Sequence, residues 1–333
     1  MSAGHGRPPA STGPGIPQKL SVPARPLPLT VTAVFCTLLW GSAAPFIKWG
    51  YDLFSISQTG DILVFAGIRF LLAGLLVILA GSLLQGKLLT AGKAVMAPVL
   101  TLAFFQTFGQ YFLYYLGVSQ ASGVDSAVIT GTGAFISLLM AVYVFRYEKM
   151  TANKALGCLT GFAGILVMNA SALTQTGGSL MGEGLILTSQ VFSAISAAFI
   201  KKFTRTHDAV LLSGWQFACG GLALMLSGLA MGGSMPGASA AGWAVVLYLA
   251  FGSAAAYTLW GLLLKEYPLS RVGIFNCIIP VAGVFWSAAL LHETGQAFAP
   301  STLAAMALVA IGVWLVNRPE TPDKRSENQT CGS

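Results

Sequence analysis

The sequence predicts an all-α membrane protein whose ten transmembrane helices form two inverted five-helix repeats. Three observations carry that expectation. Long apolar stretches recur along the chain, basic residues gather in alternate gaps between them, and the second half repeats landmarks of the first. A helix needs about 20 apolar residues to cross the hydrocarbon core. In lipid each backbone N–H and C=O must be paired within its own element, so repeated apolar runs mean helices.

Composition excludes several classes. Of 333 residues, 55% are hydrophobic and only 9% charged, against roughly 25% charged in a soluble domain. The net charge of +7 does not point to nucleic acid. Its basic residues sit singly or in twos and threes beside apolar runs, not in a stripe with interleaved aromatics. The five cysteines (Cys36, Cys158, Cys219, Cys277, Cys331) show no C-x-x-C spacing, and four lie inside apolar runs. They read as small packing residues, with no metal and no cofactor expected.

In chain order, residues 1–28 are a Pro/Gly/Ser tail with Arg7, Lys19 and Arg25, too poor in apolar residues to bury a core and expected to be disordered. No small-residue cleavage pattern follows a short apolar region, so a cleaved signal peptide is not expected. The first repeat, 29–170, holds spans over about 29–50, 62–84, 94–118, 121–145 and 155–169. The second repeat, 178–317, holds spans over about 180–200, 209–231, 243–264, 272–291 and 303–317. The fifth and tenth are short, which implies a thinner or less tilted path. Residues 318–333 form a second tail.

Charge fixes the expected orientation. The gap after span two holds Lys87 and Lys93, and that after span four holds Arg146, Lys149 and Lys154. Lys201, Lys202 and Arg205 follow span six, Lys265 and Arg271 follow span eight, and Arg318, Lys324 and Arg325 lie in the C-terminal tail. The intervening gaps contain no Lys or Arg. Cytoplasmic loops carry the Lys and Arg of a membrane protein. Ten spans with both termini in the cytoplasm satisfy every loop; nine or eleven break the alternation.

The repeat is visible in landmarks. Gly164-Ile-Leu-Val-Met-Asn169 closes span five and Gly312-Val-Trp-Leu-Val-Asn317 closes span ten, an offset of 148 (312 − 164). Tyr147-Glu148 closes span four and His292-Glu293 closes span nine, an offset of 145 (293 − 148). Ser42-Ala-Ala-Pro-Phe-Ile-Lys48 in span one is similar to Ser196-Ala-Ala-Phe-Ile-Lys201 in span six. Five is odd, so the two halves must cross the membrane in opposite senses. Inverted repeats are an architecture of secondary transporters, with the substrate near the midplane between the halves.

These residues resemble a known family. Leu39-Trp40-Gly41-Ser42, Arg69-Phe70, Tyr114-Tyr115-Leu116-Gly117 and the Glu148 and Glu293 landmarks look like the ordered motif set of the drug/metabolite transporter superfamily, in its ten-helix EamA-type branch. The resemblance covers about residues 30–317. It implies an inner-membrane carrier, often an exporter of amino acids or related metabolites, and names no substrate. One departure stands out. The family usually has a Pro midway along spans four and nine. Pro280 is present, but span four reads Thr130-Gly-Thr-Gly-Ala-Phe135. Either the glycines supply the same local flexibility, or the first-half site differs in shape.

Polar groups inside a bilayer are costly, which makes them functional candidates. Helical periodicity groups them. Gln106, Gln110 and Tyr114 recur at i, i+4, i+8; Ser253, Tyr257 and Trp260 recur at i, i+4, i+7. Thr37, Trp40 and Lys48 lie near one face of span one, where Pro45 can bend the helix. Ser126, Thr130 and Gly133 align in span four, Gln190 and Ser193 in span six, Asn276 and Pro280 in span nine. Pro280 frees a carbonyl for a ligand or a neighbour. The expected substrate pathway is Trp40, Gln106, Gln110, Tyr114, Thr130, Gln190, Ser193, Tyr257, Trp260, Asn276 and Pro280. Such amides, hydroxyls and rings suit small neutral, zwitterionic or aromatic solutes. Sugar phosphates would require several inward Lys or Arg. The same stripes also suit interhelical hydrogen bonding, since Ser, Thr and Gln glue membrane helices together.

Four ions stand apart. Arg69 is placed about seven residues into span two, with Asp125 and Glu183 as its partners and Lys48 at the same rim. These four read as an outer gate, a proton-coupling group, a structural ion pair or an interfacial anchor. Gly157, Gly161 and Gly164 form a small-residue stripe that serves either dimerisation or packing within one bundle, so the assembly is a monomer or a homodimer. An embedded enzyme is disfavoured, because His5, His207 and His292 all lie in tails or loops with no catalytic arrangement around them. A channel is disfavoured because an internally duplicated chain does not form a symmetric ring. The carrier needs a small-molecule substrate and a lipid bilayer; its alternative is a channel or a non-transport membrane protein.

Overall fold

Each apolar run winds into helix, since only helix pairs every backbone group locally. The computed structural model describes residues 28–146, 149–174, 179–235, 239–267, 272–316 and 318. The Tyr147-Glu148 landmark, Arg271, Asn317 and most of both tails lie outside the described residues.

The helices are α1 (Leu29–Phe54), α2 (Thr59–Gln85), α3 (Lys93–Leu102), α4 (Gln110–Gln120), α5 (Gly123–Gly131), α6 (Gly133–Leu139), α7 (Ala152–Thr174), α8 (Leu180–Phe203), α9 (Ala209–Ala230), α10 (Ala240–Glu266), α11 (Ile278–Leu290) and α12 (Pro300–Val316). A π-helical stretch, Ala103–Gly109, joins α3 to α4 as one rod, and another, Met140–Val144, extends α6. A 3-10 turn, Ile274–Cys277, leads into α11. Among the described residues, six helices are long and apolar enough to cross a membrane: Leu29–Phe54, Thr59–Gln85, Gly123–Val144, Leu180–Phe203, Ala209–Ala230 and Ala240–Glu266. Ile278–Leu290 and Pro300–Val316 are shorter apolar helices.

Caps explain several starts. Ser122, Ser179, Asp208 and Ser239 each accept from the backbone N–H three residues on, satisfying one orphan donor of the first turn.

Three boundaries depart from the sequence reading. The first helix continues past Gly50 to Phe54, so Lys48 lies inside it and not at its end. The second begins at Thr59, which puts Arg69 ten residues in, about 15 Å along the axis at the helical rise. The fifth rod is not short: α7 runs 23 residues, because polar Asn153, Lys154 and Ser171 end the apolar run without ending the helix. Pro280 stands, as expected, within the ninth rod: the 3-10 stretch Ile274–Cys277 lies just before it, where its ring removes an i→i−4 bond, and α-helix resumes over Ile278–Leu290.

Lipid is as apolar as leucine, so close van der Waals packing must hold the helices together. Glycine supplies the approach. Gly60, Gly67, Gly74 and Gly81 recur every seven residues on α2, and Gly214, Gly221 and Gly228 do so on α9. A Cβ at Gly67 would lie 2.3 Å from Met225 N, and one at Gly221 would lie 2.4 Å from Leu71 N. Gly60 meets Gly228 while Gly74 meets Gly214, so α2 and α9 run antiparallel. The same holds for α7 and α12, where Gly157 faces Gly312 and Gly164 faces Ala305. That contact consumes the Gly157-Gly161-Gly164 stripe, Gly161 lying under the Phe135 ring. The stripe therefore packs within the bundle. Large apolar side chains remain on the outside, Leu79, Leu83, Phe104, Leu166 and Phe285 among them. Water would penalise that surface and hydrocarbon does not.

The pairing scheme maps onto itself when the halves are exchanged. α1 packs on α10 and α11; its counterpart α8 packs on α4 and on α5–α6. α2 pairs with α9, α7 with α12 and α5 with α11. Between these pairs, rods from both halves surround a cavity.

Candidate functional site

The cavity measures about 180 Å³. Trp40 reaches it from α1, and Gln106, Gln110, Tyr111 and Tyr114 reach it from the α3–α4 rod. Thr130, Gly133 and Ser137 come from α5–α6, and Gln190, Ser193 and Ser196 from α8. Tyr257 and Trp260 of α10 and Asn276 of the 3-10 turn complete the polar wall, with Lys154 and Val316 at one end. Ten of the eleven residues expected on the pathway are thus brought together. Pro280 is not: it packs against Gly131, whose Cβ would stand 3.0 Å from the ring. Of the other stripe members, Ser253 is buried away from the cavity, Thr37 donates to Ala33 O and Ser126 to Ser122 O.

Local structure explains the lining. The π turn holds Gln106 and widens the helix, and Tyr111 joins the wall beside Gln110. Single π turns often sit at functional sites. Span four lacks the mid-span Pro, yet it still divides at Thr132 into α5 and α6, with Thr132 Oγ1 donating to Ile129 O at 2.6 Å. Gly131 lets Pro280 close in, and a Cβ at Gly133 would meet Gln190 Oε1 at 2.5 Å. The glycines make room for a partner's ring and amide at that division.

One wall is aromatic. The Trp40 and Trp260 rings lie 4.7 Å apart at 62°, and Trp40 and Tyr257 lie 5.0 Å apart. Edge-on contacts of this kind hold rings firmly in place. The Tyr111 and Tyr257 hydroxyls hydrogen-bond to each other. Three polar atoms of the lining have no hydrogen-bond partner among the described residues: Trp40 Nε1, Gln110 Oε1 and Asn276 Oδ1. Buried polar atoms are rarely left unpaired, and each such vacancy costs about 1–3 kcal/mol. One donor and two acceptors of the wall therefore carry unused bonding capacity, each enclosed by its neighbours.

The four ions do not form the expected cluster. Arg69 neither pairs with Asp125 or Glu183 nor snorkels to a surface. It is 2% exposed, and its guanidinium lies 4.1 Å from the Phe70 ring centroid and 5.4 Å from those of Tyr111 and Tyr115. Asp125 is engaged elsewhere: Ser122 Oγ donates to it at 2.6 Å and Gln296 Nε2 at 3.1 Å. Glu183 is buried in the first turn of α8 and forms no ion pair with Arg69. Lys48 Nζ donates to Ala121 O at 2.8 Å, at the end of α4. Glu293 spans the halves, accepting from Gly123 N at 3.2 Å and Val124 N at 3.1 Å. A carboxylate at the N-terminus of α5 suits the helix dipole there.

Sequence reasoning missed Tyr111, Ser137, Ser196 and Lys154. Two of them carry a signal, for Ser196 stands three residues after Ser193 and Ser137 seven after Thr130, both helical repeats. The heptad glycines of α2 and α9 carry one too, since a seven-residue period marks one helix face.

Comparison with known proteins decides the family. Residues 28–170 and 180–318 each match the EamA-like transporter family. The chain belongs to that family. It is a multi-pass membrane transporter of small molecules. The EamA-like chain is 27% identical over 315 residues to the uncharacterized transporter YvbV of Bacillus subtilis, covering 90% of this chain and 95% of that protein. It is 26% identical over 295 residues to a probable amino-acid metabolite efflux pump of Salmonella typhimurium, covering 85% of this chain and 92% of that one. A protein of known crystal structure, 18% identical, shares the fold with a TM-score of 0.62 over 86% of this chain and 95% of its own.

Proposed function

We propose that this EamA-like transporter exports small neutral, zwitterionic or aromatic metabolites, such as amino acids, from the cytoplasm. It does so by alternating access between two inverted five-helix repeats, with both termini in the cytoplasm of the inner (plasma) membrane. The observation that carries the reading is the cavity between the halves, where two tryptophans and a tyrosine stand beside unpaired amide and indole groups. Flat solutes gain contact area on the rings, and amino or carboxyl groups pair with the unbonded donor and acceptors once those side chains turn toward the cavity.

Inversion is supported by the antiparallel seams between α2 and α9 and between α7 and α12. Ten crossings are supported by the Lys and Arg alternation. The export direction draws on the name of the Salmonella relative. The cavity reaches Ile200, Leu264, Gly273 and Val316, all at helix ends that the charge pattern assigns to the cytoplasm. At the opposite end Glu293, Gln296 and Lys48 stitch α5, α4 and α1 together. These contacts support a state open to the cytoplasm and closed outward.

Two measurements test this. Purified protein in proteoliposomes is screened for flux of amino acids, nucleosides and related metabolites; saturable flux of at least one supports the reading, and none across the panel overturns it. Single cysteines in a cysteine-free background, at Ser57 and Arg205, should label from opposite sides of the membrane. Same-side labelling sinks the ten-span inverted arrangement.

A further inference from the structure

The second half shows what the first could have been. The heptad glycines place α2 on α9 at a common offset of 147: 214 − 67, 221 − 74 and 228 − 81. At that offset Arg69 corresponds to Gln216 (216 − 69). Both are buried, Arg69 at 2% exposure and Gln216 at 1%. Gln216 is a neutral amide that accepts from Thr107 Oγ1 at 2.5 Å. The fold thus accommodates an uncharged side chain at this position, and the positive charge of Arg69 is an addition to it.

That charge has no counter-ion among the described residues. No carboxylate of theirs forms an ion pair with Arg69, and its Nε has no hydrogen-bond partner. A buried unpaired cation is costly. Ring faces and phenol dipoles offset part of that cost, and the guanidinium is ringed by them. It lies against Phe70, Tyr111 and Tyr115, and the Tyr111 hydroxyl in turn bonds that of Tyr257. Tyr111, Tyr114 and Tyr257 line the cavity. The field of Arg69 therefore enters the cavity through its tyrosine wall.

The geometry points to Arg69 as a positioning residue that gives the cavity its preference for solutes bearing a carboxylate. It does so without touching the solute: the buried guanidinium biases the Tyr111–Tyr257 hydroxyl pair, and the anionic group of the solute supplies the missing counter-charge. This rests on the transport reading and narrows its substrate class from neutral, zwitterionic or aromatic solutes to those carrying a carboxylate. A cationic amine without a carboxylate is rejected by the same field.

Binding is measured apart from flux. Wild-type protein in detergent is titrated with L-phenylalanine, 3-phenylpropionate, L-phenylalaninamide and 2-phenylethylamine, following quenching of the Trp40–Trp260 wall. The acids should bind at least roughly tenfold tighter than the matched amide and amine, the scale of one unscreened charge at this range. Arg69→Gln, which copies the second half, should bring that ratio close to one, and Arg69→Lys should keep most of it. If Arg69→Gln does not fold, Tyr111→Phe provides the test, because it removes the hydroxyl and keeps the ring; the ratio should again fall. A folded Arg69→Gln or Tyr111→Phe with an unchanged ratio overturns the inference. So does a wild-type protein that binds amide as well as acid, or binds none of the four. Absence of flux for every solute while the acid preference and its loss in Arg69→Gln stand would sink the transport reading and leave this one intact.

Discussion

Two zones join the halves of the molecule, and they are built on opposite principles. Along the α2–α9 seam the backbones touch. Gly67 faces Met225 N and Gly228 faces Gly60 O, with no side chain between them. Around the cavity the halves stand apart, and polar atoms of Trp40, Gln110 and Asn276 are left unpaired. The seam leaves almost nothing for a further group to bind. The cavity leaves bonding capacity unused. A carrier needs both: a joint whose close packing fixes the register of the halves, and a gap between them that a solute completes.

The sharpest way to break this contrast is to put a side chain into the seam. Gly67→Val sets a branched Cβ against Met225 backbone at a position where even a bare Cβ would lie 2.3 Å from N. Backbone cannot yield as a flexible side chain can, so the cost should exceed the usual 1–3 kcal/mol of overpacking, reaching about 3 kcal/mol or more. The expected outcome is loss of most monodisperse protein in detergent and a fall of many degrees in its melting midpoint. Folded Gly67→Val protein of ordinary stability would mean that the seam is not what fixes the register.

Changes in the cavity should do the reverse, harming transport and sparing the fold. Trp260→Ala removes a flat surface and Gln110→Leu removes an unpaired acceptor. Each should weaken solute binding by about 1–3 kcal/mol, a five- to hundredfold rise in the half-saturating concentration of flux. Expression and melting should stay near wild type. Wild-type flux and affinity in both variants would make these residues packing only.

An intermediate effect belongs to the rim. Glu293 is half-buried and holds two orphan N–H groups of α5 from the opposite half. Glu293→Ala should cost about 1–2 kcal/mol, the usual value of a lost helix cap. Glu293→Gln keeps an acceptor and should cost less. Because the contact bridges the halves at the end proposed to be closed, Glu293→Ala should also raise labelling of a cysteine placed at the buried Val124 by a membrane-impermeant reagent. Unchanged labelling would reduce Glu293 to a local cap.

How much of the molecule is legible in its sequence follows from which periodicities survive folding unaltered. The polar stripes of α3–α4, α8 and α10 are helical repeats, so spacing alone groups Gln106, Gln110, Gln190, Tyr257 and Trp260. It does not add Tyr111, because a π turn shifts the face and leaves no mark in a 3.6-residue count. The surroundings of Arg69 escape the sequence for a related reason. Apolar length alone begins the helix at Ile62, placing Arg69 nearer a rim and its carboxylates than its true depth inside an aromatic cage. Ends of apolar runs are not ends of helices, as Lys48 and α7 also show. Where the helix divides at Thr132 depends on what Pro280 and Gln190 demand of two glycines, which is a tertiary fact.

The smallest expected effect makes the finest comparison, between two glycines two residues apart on α8. A Cβ on Gly182 would meet Gln120 Cβ at 2.8 Å and Gly117 O at 3.0 Å, while one on Gly184 would meet nothing within 4 Å. Both are in the first turns of the same helix, so their intrinsic helix propensities are alike. Replacing an unhindered helical glycine by alanine should gain about 0.5–1 kcal/mol, because the unfolded chain loses freedom it would otherwise recover. Gly184→Ala should therefore raise the melting midpoint slightly. Gly182→Ala should lower it, since the same gain is outweighed by displacing α4. Measured side by side in one detergent, the two shifts should have opposite signs. Shifts of equal sign would mean that α8 does not rest on α4 through Gly182, and that the close packing seen along α2 and α9 is not extended by α8 to the rods that wall the cavity.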